Sequence, residues 1–339
     1  MEFAGLSGAI SGKTVDIHTH LLSPQVRFDR FYDRLAMGLF GKGLGIDPEA
    51  LRRDPYGAYV SALVGSVRAS QQVEKICLFG IDSRLDSRGQ ELHRDRTVCA
   101  SNEDLLAVAS DNPDCIIPFF SINPLRPDAL ERIDEYWERG CRGAKFLQNY
   151  WGVDLNDPRF APYYEKLVTR GIPLIIHIGS EYSIDSFAQY ERIDMLRQPL
   201  EAGVRVIAAH MGLGRVEHRW AFWRNLSKDP AWFDRDYFRL LELLESEENL
   251  YGDISAILAP LRARALRHLS GQTQIHHKLL FGTDYPVPFT IRFNSYDLAG
   301  ERRRAIGRIA NPFDRYAAAI MEYFPPGSPI YSNYRKLLG

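Results

Sequence analysis

Two histidines, His18 and His20, stand two residues apart in the run TVDIHTH (14–20). The run reads as a strand. Side chains alternate faces along a strand, so both imidazoles share a face with backbones about 7 Å apart. Strict alternation puts Thr14 and Asp16 on that face too, with Val15 and Ile17 opposite. Two adjacent core imidazoles would each need a polar partner. Neutral imidazole is also a good ligand for Zn, Mn, Fe, Co or Ni. Other ionisable residues close similar runs: Lys145 in CRGAKFL, His177 in PLIIHIG, His210 in RVIAAHMG and Asp284 in LLFGTDYP. Singly, each has an ordinary explanation as a core histidine, a turn cap or a surface lysine. Together they are the types that bind a divalent ion. Such an ion lowers the pKa of bound water from about 15.7 towards ~7. A carboxylate beside it can take the water's proton and later return it to a leaving group.

These residues converge only if the strands bearing them do. Eight short runs rich in Val, Ile and Phe occur, at 14–20, 73–81, 115–122, 141–147, 173–179, 205–212, 250–255 and 279–286. Several are apolar throughout, as suits parallel strands covered on both sides. Helical patterns separate most of them, two ending in glycine (PDALERIDEYWERG and APYYEKLVTRG). This alternation predicts an α/β fold, a (β/α)8 TIM barrel over 14–286 in a single domain spanning 1–339, with a C-terminal helical extension over 287–339. In such a barrel all strand C-terminal ends meet at one mouth, so distance along the chain ceases to matter. Two connections are long, 21–72 after the first strand and 213–249 after the sixth, and read as insertions at that mouth. The Gly-rich piece GLFGKGLGIDP (38–48) reads as a mobile lid. It lacks the GK[ST] ending of a phosphate loop.

The remaining histidines are expected away from the mouth. His276 and His277 begin the eighth strand's run and lie more than ~20 Å from Asp284 along an extended chain. His268 is placed on a helix, and His93 and His218 in loops. Asp16 is read either as orienting an imidazole or as a core hydrogen-bonding group. The 339 residues carry a net charge of −1, with 45% hydrophobic and 25% charged residues, and no basic run that favours nucleic acid or a membrane surface. Cys77, Cys99, Cys115 and Cys141 form no CxxC pair and read as buried thiols. The N-terminus lacks the pattern of a signal peptide, and no apolar stretch approaches 18 residues. The expectation is a cytoplasmic protein acting on a small molecule, with any homo-oligomer interface on the outer helices, insertions or extension.

HxH on strand 1, Lys on strand 4, His on strands 5 and 6 and Asp on strand 8 resemble the amidohydrolase superfamily. The wording VDIHTH, GAKF, PLIIHIG, AAHMG and LLFGTDYP is most similar to the amidohydrolase-related branch, which includes aminocarboxymuconate-semialdehyde decarboxylase-like enzymes. The resemblance implies one metal, Zn(2+) foremost, on His18, His20, His177 and Asp284, with Lys145 close by and His210 as an acid/base. Its binuclear version implies a carboxylated Lys145 bridging two ions. It also implies a metal-dependent hydrolase with Asp284 as base, or alternatively a non-oxidative decarboxylase. Tyr150 and Trp151 in QNYWG and Glu181 in EYS follow strands 4 and 5, and are candidates to line the substrate pocket.

Overall fold

The computed structural model describes residues 9–10, 12–25, 41, 45–86, 88–92, 100–181, 184–216, 220, 222–291 and 297–339. Eight strands form one sheet: β1 (Thr14–His20), β2 (Val73–Phe79), β3 (Ile116–Phe120), β4 (Gly143–Phe146), β5 (Leu174–Ile176), β6 (Val206–Ala208), β7 (Leu250–Asp253) and β8 (Leu279–Leu280). They follow in chain order, each parallel to the next. The last returns to the first. Ile17 N donates to Phe281 O (3.0 Å), Asp284 N to His18 O (2.9 Å) and His20 N to Tyr285 O (2.8 Å). The sheet is therefore a nearly closed barrel, as the alternation predicted.

Helices cover the outside: α1 (Pro55–Ala69), α2 (Asn102–Asp111), α3 (Ala129–Glu138), α4 (Ala161–Arg170), α5 (Arg197–Glu201), α6 (Arg235–Ser246), α7 (Leu266–Gly271) and α8 (Pro312–Met321). Local chemistry fixes their ends. At α1, Asp54 accepts from Gly57 N and Pro55 opens the first turn. Ser101 and Asp104 cap α2 reciprocally. Gly171 closes α4 with φ 65°, which glycine adopts without penalty. Both predicted insertions prove shorter than 21–72 and 213–249, because α1 and α6 within them are ordinary barrel helices. Of the expected lid, residues 38–40 and 42–44 lie outside the described residues.

Inside the barrel, Val15, Ile17, Cys77, Phe79, Phe119, Ile175, Ile207, Ala209 and Leu280 pack together, with Leu337 of the extension joining them. Cys77, Cys115 and Cys141 are free buried thiols, and Cys99 is outside the described residues. The extension is bonded to the barrel. Thr14 Oγ1 donates to Tyr331 O (2.8 Å), Asn333 Nδ2 to Leu279 O (2.8 Å) and Ser70 Oγ to Asp314 Oδ1 (2.6 Å). No helix among the described residues is long and apolar enough to cross a membrane.

Strict alternation along β1 fails, and the failure matters. The pairing of β1 with β2 slips between Asp16 and Thr19, where one extra β1 residue is accommodated. Such a bulge re-aims side chains. Val15 and Ile17 point into the barrel. Beyond the slip, His18 and His20 also face inward, their rings 5.0 and 4.7 Å from the ring of Phe79. Asp16 does not share their face. Its Oδ2 accepts from Thr283 Oγ1 (2.6 Å) and its Oδ1 from Thr283 N (3.0 Å) and His18 N (3.0 Å), pinning β1 to the segment after β8. Burial pushes Asp16 up to about 7, against the pull of those hydrogen bonds.

Candidate metal centre

The mouth is built from backbone that leaves the ladder early. Regular pairing of β8 stops at Leu280, and Asp284 has φ 65°. After β6 the chain turns through three left-handed residues, His210 (φ 60°), Met211 (φ 55°) and Gly212 (φ 64°). For non-glycine residues such conformations cost on the order of 1–3 kcal/mol each and persist where surrounding bonds over-determine them. Here Asp284 N is held by His18 O, and His210 N donates to Asp253 Oδ1 (3.0 Å).

Three predicted ligands converge. His18 Nε2 lies 3.4 Å from Asp284 Oδ1, and His20 Nε2 lies 3.2 Å from the same oxygen. One ligand atom from each lies within 4.8 Å of the others. Tetrahedral bonds of about 2.0–2.1 Å set ligands roughly 3.3 Å apart. Asp284 Oδ1 is buried and accepts no hydrogen bond. Behind the cluster, His18 Nδ1 donates to Asp253 Oδ2 (2.7 Å), so its Nε2 carries a lone pair towards Asp284. Lone pairs and an orphaned carboxylate oxygen meeting at one point are the donor set of a divalent cation, and these residues fit one.

Electrostatics agrees. Burial is the largest effect holding His18 below the usual imidazole range, with Lys145 adding to it. Burial also penalises the Asp284 carboxylate, yet His18, His20 and Arg262 outweigh it and hold Asp284 well below the usual range. At neutral pH His18 is neutral and Asp284 an anion.

The other candidates surround this cluster. Lys145, on β4 and fully buried, brings Nζ within 3.4 Å of His18 Nε2. His210 lies on the opposite side, its ring 5.0 Å from that of His18 and its Nδ1 3.9 Å from Asp284 Oδ2. His177 is not gathered into the three-residue group. Its Nε2 donates to Gly179 O (3.0 Å), and its ring lies 4.9 Å from that of His210. Burial first, then Lys145 and Arg262, drive His177 well below its usual range. Burial and Arg262 do the same to His210.

Of the proposed pocket-lining residues, Glu181 Oε2 stands 3.9 Å from His177 Nδ1. Tyr150 lies beneath the Arg84 guanidinium, 4.8 Å away. Trp151 is a correction: it is a core residue, 3% exposed, with Nε1 donating to Asp82 O (2.8 Å) and its ring edge-on to Phe146. His276 and His277 sit in a 3-10 turn (Thr273–Lys278) that enters β8 from the far end. Replacing either by Ala should leave turnover within a few-fold, and a large loss in folded protein would contradict that placement. His268 is on α7, where its Nδ1 pairs with Tyr237 Oη (2.8 Å). His93 and His218 lie outside the described residues.

Three site residues escaped the sequence reading. Asp253 ends β7 in LYGDIS, the same position that marked Lys145, and it could have been found by that rule. Ser255 Oγ bonds Asp253 and lies 2.8 Å from His210 Nδ1 and 3.2 Å from His18 Nδ1. Gly282 lies under both, since a Cβ there would come 3.1 Å from His18 Cβ and 3.2 Å from Ser255 Cβ. Asp253→Asn should weaken metal retention roughly 10–100-fold, the usual effect of disturbing a carboxylate behind a ligating histidine. Titrating bound metal against a chelator measures it, and an unchanged affinity would remove Asp253 from the site.

Comparison with known proteins follows the same lines. The family model described as amidohydrolase matches residues 15–300. No curated protein matches the chain. Among solved structures, an uncharacterised TIM-barrel protein of Bordetella bronchiseptica is 18% identical, covering 91% of this chain and 99% of its own, with TM-score 0.53. A probable 2-pyrone-4,6-dicarboxylic acid hydrolase of Acinetobacter baumannii is 16% identical over 96% and 99%, with TM-score 0.54. A 2,6-dihydroxybenzoate decarboxylase is 17% identical over 90% and 99%, with TM-score 0.51. At these identities the likeness is one of fold.

Proposed function

The chain belongs to the amidohydrolase family, and from that premise we propose a metal-dependent hydrolase that uses water to break a C–N or C–O bond of a small amide, ester or lactone. The observation that carries this reading is the convergence of His18 Nε2, His20 Nε2 and the orphaned Asp284 Oδ1. These three would hold one divalent ion, Zn(2+) being the natural match to two imidazoles and a carboxylate. When bound, such an ion acidifies water to a pKa of about 7 and polarises a carbonyl oxygen. The gathering of one atom each from His18, His20 and Asp284 at a single point supports one ion, without His177 as a ligand, and in the one-ion reading Lys145 is not a carboxylated bridge.

The chain's own groups then handle protons. Ser255 gives its hydroxyl proton to Asp253, so its oxygen accepts from His210 Nδ1–H. This fixes the His210 tautomer and leaves Nε2 as a lone pair. Asp284 is held ionised. Both groups accept protons in their resting forms. That supports removing a proton from water over delivering one to a ring carbon, which the alternative reading, non-oxidative decarboxylation, requires first.

The deciding experiment supplies metal-loaded protein with lactones, esters and amides on one side and arylcarboxylates on the other. Acid release is followed by pH-stat and CO2 in the headspace. New acid without CO2 supports hydrolysis. CO2 from an arylcarboxylate, with no hydrolytic turnover, overturns it in favour of decarboxylation.

A further inference from the structure

Two arginines are buried in the described part of the chain, Arg262 and Arg264, and they are treated differently. The Arg264 guanidinium is neutralised by Asp234 at 2.9 Å. The half-buried Arg126 is likewise held by Asp82 (2.5 Å) and Glu91 (2.6 Å). Arg262, 7% exposed, has no carboxylate within ion-pair distance among the described residues. Its Nη2 donates to Ser180 O (3.0 Å) and its Nε to Leu213 O (3.4 Å). A guanidinium carries five N–H donors in a rigid fork. Two are used by these carbonyls, and the hydrogens of Nη1 are not.

Those two carbonyls fix where the charge sits. Ser180 follows Gly179, the acceptor for His177, and Leu213 closes the turn that carries His210. Gly214 keeps the loop clear, since a Cβ there would come 3.2 Å from Arg262 Nε. The guanidinium therefore stands between the loops after β5 and β6, on the His177–His210 side of the mouth. Its field reaches His177, His210 and Asp284. A buried cation lacking a counter-ion is costly unless something else supplies the charge. Arginine's fork matches a carboxylate through two parallel hydrogen bonds.

We propose that Arg262 is the specificity-determining residue of this site and grips a carboxylate on the substrate, remote from the bond that is broken. The proposal rests on the hydrolytic reading only for the position of the substrate at the His18–His20–Asp284 group. A residue that merely clasped two loops would show no preference for an anion.

The test measures binding of benzoate and of its neutral isostere benzamide to the full chain, metal-loaded and after chelation, by calorimetry or competition. Metal content is recorded alongside. Wild type should prefer benzoate by roughly 10- to 100-fold, the range for hydrogen bonds to charged groups. The preference should survive chelation, because Arg262 and not the metal supplies it. Arg262→Gln should abolish it while retaining metal, and Arg262→Lys should keep a reduced preference, since a point charge cannot make the fork. Equal binding of the two probes by wild type, or no binding of either, overturns the proposal. So does a preference lost on chelation but kept in Arg262→Gln, which would assign the anion to the metal. If Arg262→Gln fails to fold, the chelated wild type and Arg262→Lys still decide. Failure of the metal reading would appear separately, as protein that holds no metal whatever its preference for benzoate.

Discussion

Asp284→Asn is expected to lower turnover at least ~100-fold, the scale of a lost general acid–base group, with the fold intact. The substitution keeps shape and volume and removes one charge. Asp284 Oδ1 faces His18 Nε2 at 3.4 Å and His20 Nε2 at 3.2 Å, and Oδ2 is 3.9 Å from His210 Nδ1. An asparagine there offers one neutral oxygen and an amide that cannot accept a proton. Metal affinity should fall as well, so the comparison belongs at saturating metal with metal per chain measured in the same samples. Turnover within ~10-fold of wild type, at equal metal content, would move the base elsewhere. The unfolding transition at neutral pH should fall somewhat, because a carboxyl held below its usual range by its neighbours stabilises the fold while it is ionised.

The second large effect separates two histidines that the sequence treats alike. His18→Ala and His20→Ala should both abolish metal retention and turnover, but only the first should also weaken the fold. His18 Nδ1 is the partner of the fully buried Asp253 carboxylate. Removing it leaves Asp253 Oδ2 without its donor while Oδ1 keeps His210 N and Ser255 N, and leaving a buried acceptor unpaired costs about 1–3 kcal/mol. The side chain of His20 is 20% exposed, and the acid it faces, Asp284, keeps His18 beside it, so the loss of His20 strands no buried charge. Elemental analysis and thermal unfolding of both variants check this. Metal retained by either variant would sink the ligand assignment, and equal unfolding temperatures would remove the structural role of the His18–Asp253 pair.

Much of this architecture was legible because strand ends in a barrel all share one destination. Reading the last residues of each apolar run was enough to collect His18, His20, Lys145, His177, His210 and Asp284 around one opening. Asp16 was misassigned because periodicity assumes an unbroken ladder, while the bulge before Thr19 reverses the faces. That slip depends on pairing with β2, which lies more than 50 residues away, and leaves no local signature. Trp151 was misread because an aromatic after a strand fits packing and recognition equally well. Arg262 was invisible for a different reason. Its significance lies in a counter-ion it lacks among the described residues, and only the surroundings assembled from the loops after β5 and β6 reveal that.

The hydrogen bonds that bring β8 back to β1 have a consequence for how the centre comes into being. Asp16 and Thr283, which meet at this seam, are 267 residues apart in the chain. The atoms that would hold a metal are split across the same seam, two imidazoles on one side and the carboxylate on the other. During synthesis the histidines emerge well before the carboxylate that joins them. No chain that stops before β8 has all three, so high-affinity metal capture would report closure of this seam. An ion that binds only the closed form draws the equilibrium towards it by mass action. The metal would then act as a clasp on the ring as well as a reagent within it.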